Sequence, residues 1–285
     1  DWLSLGQETT PKTWVQWVFI AFAVVFAFWH VATNLLINES ALWQNAIHFA
    51  GFAVLASVIF PARLFGRQSL AFDLAFGLMV AWAACWVIAS ESRIYADTLS
   101  VTGQSWQFSL WDWFAGGLLI VAAIDFSRRV SGWVIPALII FSVCYILFLG
   151  ESLPGVFRTA SLPLDDVLFR TIYNDEGLFG ILATISSSNI TLFMIFGGFL
   201  VISGASDFVI ELSKVVAGRV RGGAAFVAVL SSALTGTISG SAVANTASTG
   251  VITIPLMKSS GFRGRFAAGV EAAASTGGQL MPPIM

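Results

Sequence analysis

The chain has 285 residues, of which 57% are hydrophobic and 11% charged, and its mean hydropathy is +0.84. Soluble proteins carry charge on about a quarter of their residues, so the solvent for this chain is a lipid bilayer. The net charge of −2, with basic residues in short clusters between apolar stretches rather than on one face, excludes a nucleic-acid partner.

A helix rising 1.5 Å per residue needs about 20 mainly apolar residues to cross roughly 30 Å of hydrocarbon. Five early segments meet that requirement: 14–36, 43–60, 70–90, 108–126 and 132–149. Trp14, Trp17, Trp43, Trp106, Trp111 and Trp133 stand near their ends, where amphipathic rings sit at headgroup depth. Cys85 and Cys144 fall inside apolar stretches and read as buried, unpaired thiols rather than a disulfide or metal pair.

Basic residues concentrate in cytoplasmic loops. Arg63 and Arg67 follow the second segment, Arg128 and Arg129 the fourth, then come Lys214, Arg219 and Arg221, and finally Lys258, Arg263 and Arg265. The alternate loops carry Glu39, then Glu91 and Asp97, then Glu151, Asp165, Asp166, Asp175 and Glu176, opposed only by Arg93, Arg158 and Arg170. This alternation predicts a cytoplasmic N-terminus. The stretch 177–212 is too long for one simple span, and Ser186, Ser187, Ser188 and Asn189 interrupt it. A short interfacial helix followed by a span over 190–212 is expected.

Segment 222–257 is apolar and rich in small residues, yet cationic clusters flank it on both sides, so both ends are expected on the cytoplasmic side. Its second arm, 245–257, contains Pro255 and is about 20 Å long as a helix, too short to cross. A re-entrant helical hairpin with its tip at 236–245 is predicted. After Arg265 a helix over 266–275 meets Thr276, Gly277, Gly278 and, shortly after, Pro282 and Pro283, which should break it at similar depth. Irregular backbone survives in a membrane where protein or a water-filled cavity satisfies it.

Broken helices leave N–H groups at one half-helix and C=O groups at the other, suiting anions and cations respectively. Ser239, Ser241, Asn245, Thr249 and Thr276 add hydroxyl and amide oxygens that a hard cation such as sodium can use. The same Gly, Ala, Ser and Thr residues also serve close helix packing. The common depth of the two breaks favours the ion or substrate reading.

Thr237-Ile-Ser-Gly-Ser-Ala-Val-Ala-Asn-Thr246, Ile254-Pro-Leu-Met257 and Gly278-Gln-Leu-Met-Pro-Pro283 resemble the large membrane subunit of tripartite ATP-independent periplasmic (TRAP) transporters. The continuation Asn245-Thr-Ala-Ser-Thr-Gly250 is most similar to the TAXI branch, and Asn245 stands where many other branches have an acidic residue. The resemblance covers 132–285 and implies an elevator-type secondary transporter in a bacterial or archaeal inner membrane. It takes a small organic acid from a periplasmic substrate-binding protein. Segment 132–221 would supply scaffold and connecting helices, and 222–257 with 266–285 the first half of an inverted repeat. The implied ion and substrate residues are Ser239, Gly240, Ser241, Asn245, Thr249, Thr276, Gly277, Gly278 and Gln279. Ser241, Asn245, Thr276 and Gly278 are the candidate ligands of sodium, the implied coupling ion; no other cofactor is implied. Residues 1–131 resemble a fused small four-helix subunit. The family's second repeat is missing, so the chain, which starts at Asp1, is expected to be a fragment or processed product that does not transport alone.

The fold class expected is therefore all-α integral membrane, with six to seven spanning helices, a re-entrant hairpin and a broken helix. Glu271, on the helix leading to the break, could bind the ion or relay protons, but pairing with a neighbouring helix or snorkelling is the favoured expectation. Asp207 and Glu211 are expected to pair locally with Lys214, and Asp73, Asp112 and Asp125 to reach the interface. His30 and His48 are expected to share an interhelical hydrogen bond rather than a metal. A serine protease would need a base near Ser239 or Ser241, and the histidines lie in a separate module, so an enzyme is not expected. A channel or an anchoring subunit remains the alternative, and the acidic loop 151–176 is either a docking face or simply solvated.

Overall fold

The computed structural model describes residues 14–37, 40–62, 70–100, 106–217, 220, 222–239 and 242–280. Among the described residues there are helices and no strands. The chain divides into two compact units, Asp1–Ser188 and Asn189–Met285.

In the first unit the helices are α1 (Trp14–Leu35), α2 (Ala41–Ile59), α3 (Leu70–Ser100) and α4 (Leu110–Ser131). Next come α5 (Val134–Cys144), which continues as a π-turn over Tyr145–Leu149, and α6 (Leu164–Leu168), followed by a second π-turn. Helix α7 (Ile181–Ile185) leads into a third π-turn, Ser186–Ile190, and α8 (Thr191–Ile202) begins the second unit. Five helical stretches among the described residues are long and apolar enough to cross a membrane: Gln16–Leu35, Ala41–Ile59, Leu70–Ala96, Leu110–Ser131 and Ile181–Phe199. Val134–Leu149 and Gly223–Thr237 are shorter apolar helices.

The core between α2, α3 and α4 is built from small side chains, with Ala46, Ala53, Ala83, Ala84, Ala115 and Ala122 almost wholly buried. Close backbone approach is what holds helices together when the surroundings are as apolar as the contact. Many large residues of this unit point outward instead, among them Val25, Phe28, Phe141 and Phe148, while Ile94, Leu119, Tyr173 and Phe179 join the core. The same inversion corrects the expectation for the cysteines. They are unpaired, but Cys85 lies exposed on α3 and Cys144 is half-buried, because an apolar residue on a membrane helix can face lipid as readily as protein.

Three sequence expectations change. Helix α3 runs on through Glu91 and Ala96 to Ser100. Ser186–Asn189 does not interrupt the helix. Ser187 donates to Asn45 Oδ1 (2.7 Å), Asn45 donates to Phe179 O (2.8 Å), and His48 Nε2 lies 3.0 Å from Ser186 Oγ, so α2 satisfies the serines and the helix continues. The break falls instead at Ser203-Gly204, where Gly204 takes φ +80°, and the expected span over 190–212 is divided there.

Of the three acids expected to reach the interface, Asp112 and Asp73 are instead buried and Asp125 is partly exposed. Asp112 is 0% exposed and Asp73 1%, each held by an arginine: Arg93 Nη2 lies 2.6 Å from Asp112, and Arg129 lies 2.9 Å from Asp73 and 2.6 Å from Asp125. A paired guanidinium makes burial cheaper than stretching a short side chain to water. His30 Nε2 and His48 Nδ1 do share a hydrogen bond, of 2.8 Å, as expected. In the loop after α5 the hydroxyl and amide of Ser161 hold the exposed Glu151 below the usual carboxylate range.

Candidate functional site

The second unit contains α8, α9 (Ala205–Ala217), α10 (Gly223–Ser239), α11 (Ala242–Ser259) and α12 (Gly264–Gly277), which tightens into a 3₁₀ turn over Gly278–Leu280. Lys214 pairs with Glu211 at 2.6 Å, as expected; the side chain of Asp207 lies outside the described residues. Helices α10 and α11 form an antiparallel hairpin, and α12 packs against both.

The tip is tighter than predicted. Gly236 to Ser239 and Ala242 to Asn245 are helical, leaving only positions 240–241 between the arms. Gly236 does not break its helix. A Cβ placed on it would lie 2.3 Å from the Cα of Gly278, so its missing side chain is what lets α10 touch the end of α12. Gly278 is the other half of that contact: its own Cβ would meet Gly236 Cα at 2.9 Å and Asn245 Nδ2 at 2.8 Å. Asn245, fully buried, fastens the hairpin, its amide donating to Ser232 O (2.7 Å) and its Oδ1 accepting from Thr235 (2.6 Å). Thus Gly236, Asn245 and Gly278 converge where hairpin and α12 meet.

The remaining sequence candidates separate. Thr276 is exposed and donates to Ala272 O (2.8 Å), Gln279 is exposed, and Gly277 faces open space. Thr249 is buried and points the other way, toward Glu271. Gly240, Ser241 and the side chain of Ser239 lie outside the described residues, as does the Pro282-Pro283 break.

Glu271 pairs with neighbouring helices, one of the two favoured expectations, and does not snorkel. It is 0% exposed, and among the described residues no basic side chain pairs with it. Its carboxylate is instead ringed by hydroxyls: Ser232 at 2.9 Å, Ser275 at 3.1 Å, Thr253 at 2.5 Å, and Thr249. Gly250 makes room for it, since a Cβ there would lie 3.2 Å from Glu271 Cγ. The sequence did carry a signal. Thr249 and Thr253 are spaced i,i+4 on one helix, as are Glu271 and Ser275 on another, and each pair therefore shares a face. Which faces meet is a tertiary fact.

Residues 118–285 match the family described as "Tripartite ATP-independent periplasmic transporter, DctM component". The match takes in more than half of the chain, and the chain belongs to that family. Among curated relatives, the C4-dicarboxylate TRAP transporter large permease protein DctM of Vibrio cholerae is 29% identical over 150 residues, 50% of this chain and 33% of that protein. Its counterpart in Pseudomonas aeruginosa is 37% identical over 94 residues, 33% of this chain and 22% of that protein. The isethionate TRAP transporter permease protein DctMQ of Oleidesulfovibrio alaskensis is 27% identical over 178 residues, 59% of this chain and 27% of that protein. The chain thus spans about a third or less of the curated relatives it matches. No solved structure matches the chain. Membership in a family of permeases, with these apolar helices, makes this a multi-pass membrane protein and not an enzyme.

Proposed function

We propose that the chain is part of a secondary active, ion-coupled transporter of the bacterial inner membrane that takes up a small carboxylate handed over by a periplasmic binding protein. Family membership supports the class, and the named substrates of two relatives, C4-dicarboxylates and isethionate, are small organic acids. The observation that carries the reading is the convergence of Gly236, Asn245 and Gly278, which brings a hairpin tip to the point where α12 gives way to a 3₁₀ turn. Backbone groups freed at such a point can face an ion or a carboxylate.

In this reading α10, α11 and α12 form the first half of an inverted repeat, with the hairpin re-entrant from the cytoplasmic side, and move as one body in an elevator cycle. A second repeat would complete the substrate site. Residues 1–131 act as a small-subunit-like domain fused ahead of 132–285 in the TAXI manner. Sodium is the proposed coupling ion, held by oxygens near Asn245 and Gly278, with Thr276 and Ser241 the further ligands that the resemblance implies.

The test is uptake by the complete transporter in proteoliposomes with its binding protein, using succinate and isethionate as probes. We expect saturable uptake that an inward sodium gradient drives and choline does not. Asn245→Leu and the less intrusive Thr276→Val should each lower it at least about tenfold without loss of expression. Unsaturable flux would establish a channel, and full activity in both variants would reject the site.

A further inference from the structure

We propose that Glu271 and its ring of hydroxyls form a binding site for a monovalent cation, separate from the glycine contact at the hairpin tip. The inference rests on the reading of this unit as part of an ion-coupled carrier. It adds a residue, and a seat of negative charge, that the candidate sodium ligands lack.

A carboxylate shut away from water is costly unless a counter-charge or several hydrogen bonds compensate it. For Glu271 the ionisable groups on the packed elements are few. Helix α10 carries none, α11 carries Lys258 at its exposed end, and Arg263 and Arg265 stand exposed at the start of α12. Among the described residues none pairs with it, and the polar side chains bonded to it are hydroxyls: Ser232 from α10, Thr249 and Thr253 from α11, and Ser275 from its own helix.

Counting hydroxyl protons shows why the cluster suits a cation that comes and goes. Each hydroxyl has a single proton to give. With the carboxylate ionised and alone, the ring can turn its protons inward and stabilise the charge. Thr249 and Thr253 also have a second acceptor in reach, Asn245 O at 2.8 Å and Thr249 O at 3.0 Å. When a cation sits on the carboxylate, those two hydroxyls can donate to the carbonyls instead and turn lone pairs toward it. For a proton, both states are satisfied by rotating two hydroxyls, with no helix displaced. Thr249 also ties the site to the hairpin tip, since Asn245, whose carbonyl it can bond, fastens that tip.

Proton and sodium share this chemistry, a small hard cation on a carboxylate among neutral oxygens, and the oxygen spacing differs for the two. A cation of calcium's size holds its ligands at about 2.3–2.6 Å and parts them beyond hydrogen-bond contact. The Ser232 and Ser275 oxygens lie 2.9 and 3.1 Å from the carboxylate, spacings that a proton fits as they stand and that sodium would widen.

The experiment is difference infrared spectroscopy of the purified complete transporter, with no solute present. A pH step reads the carbonyl band of a protonated carboxylic acid, and exchange of choline chloride for sodium chloride at fixed pH reads shifts of the carboxylate stretch. We expect a band that changes reversibly in one of these steps, is lost in Glu271→Gln and is shifted in Thr253→Val and Ser232→Ala, which keep the carboxylate should the Gln variant fail to fold. A pH-dependent band identifies a proton, and a sodium-dependent one identifies sodium. A spectrum with no change dependent on Glu271 or its hydroxyls in either step overturns the proposal and leaves a structural tie. Because the readout is binding, it stands apart from uptake: wild-type protein without solute uptake would count against the transporter reading alone.

Discussion

Gly277 and Gly278 are adjacent in sequence and opposite in surroundings. A Cβ on Gly277 meets nothing within 4 Å, whereas one on Gly278 lands 2.8 Å from Asn245 Nδ2 and 2.9 Å from the backbone of Gly236. Gly278→Ala should therefore force α10 and the 3₁₀ turn apart and lower stability by about 1–3 kcal/mol, the usual cost of overpacking. Gly277→Ala should be neutral or stabilising by up to about 1 kcal/mol, since alanine favours the helix. Thermal melting of the two variants in detergent checks the contrast; equal destabilisation would dissolve the distinction. Both glycines stand out in the sequence as breakers. Their division of labour could not be read there, because it depends on what lies across the helix interface.

Among the elements, α4 shows how a buried acid is used locally. Ser109 caps the helix in a reciprocal box with Asp112, and the Asp112 carboxylate also accepts from Trp86 Nε1 (2.9 Å) and Arg93 Nη2 (2.6 Å). Asp112 is 0% exposed while the Arg93 side chain is 41% exposed. Removing the acid deletes a cap and several partners at once, whereas removing the arginine leaves the buried carboxylate its cap and Trp86 but takes away its counter-charge. Asp112→Ala should cost roughly 2–4 kcal/mol and Arg93→Ala less, roughly 1–2 kcal/mol, because the guanidinium is partly open to water. Chemical unfolding of the two variants would reveal the order, and the reverse order would contradict the structure. The Ser-x-x-Asp pattern of the cap is visible in the sequence. The arginine partner, on another helix, is not, and for that reason Asp112 read as an interfacial residue.

At the scale of the whole molecule the basic clusters predict sidedness. With Cys85 and Cys144 replaced, Val156→Cys in the loop expected outside, where Val156 is 93% exposed, should react with a membrane-impermeant maleimide on intact cells. Ser260→Cys, beside Lys258 and Arg263, should react only after permeabilisation. Labelling of both from one side would overturn the orientation.

The sequence by itself determined that the chain lives in lipid, that it is helical, where most helices start, and that its second half carries the motifs of a TRAP large subunit. Those properties follow from apolar run length, charge placement and local breakers, all of which act over a turn or two of chain. Only the tertiary structure decided that Ser186 and Ser187 are satisfied by α2, that Gly236 is a contact rather than a break, and that Glu271 sits among hydroxyls from three helices. Each of these is set by which helix faces meet. In a membrane protein, where the outer and inner faces of a helix are both apolar, periodicity does not say which face that will be.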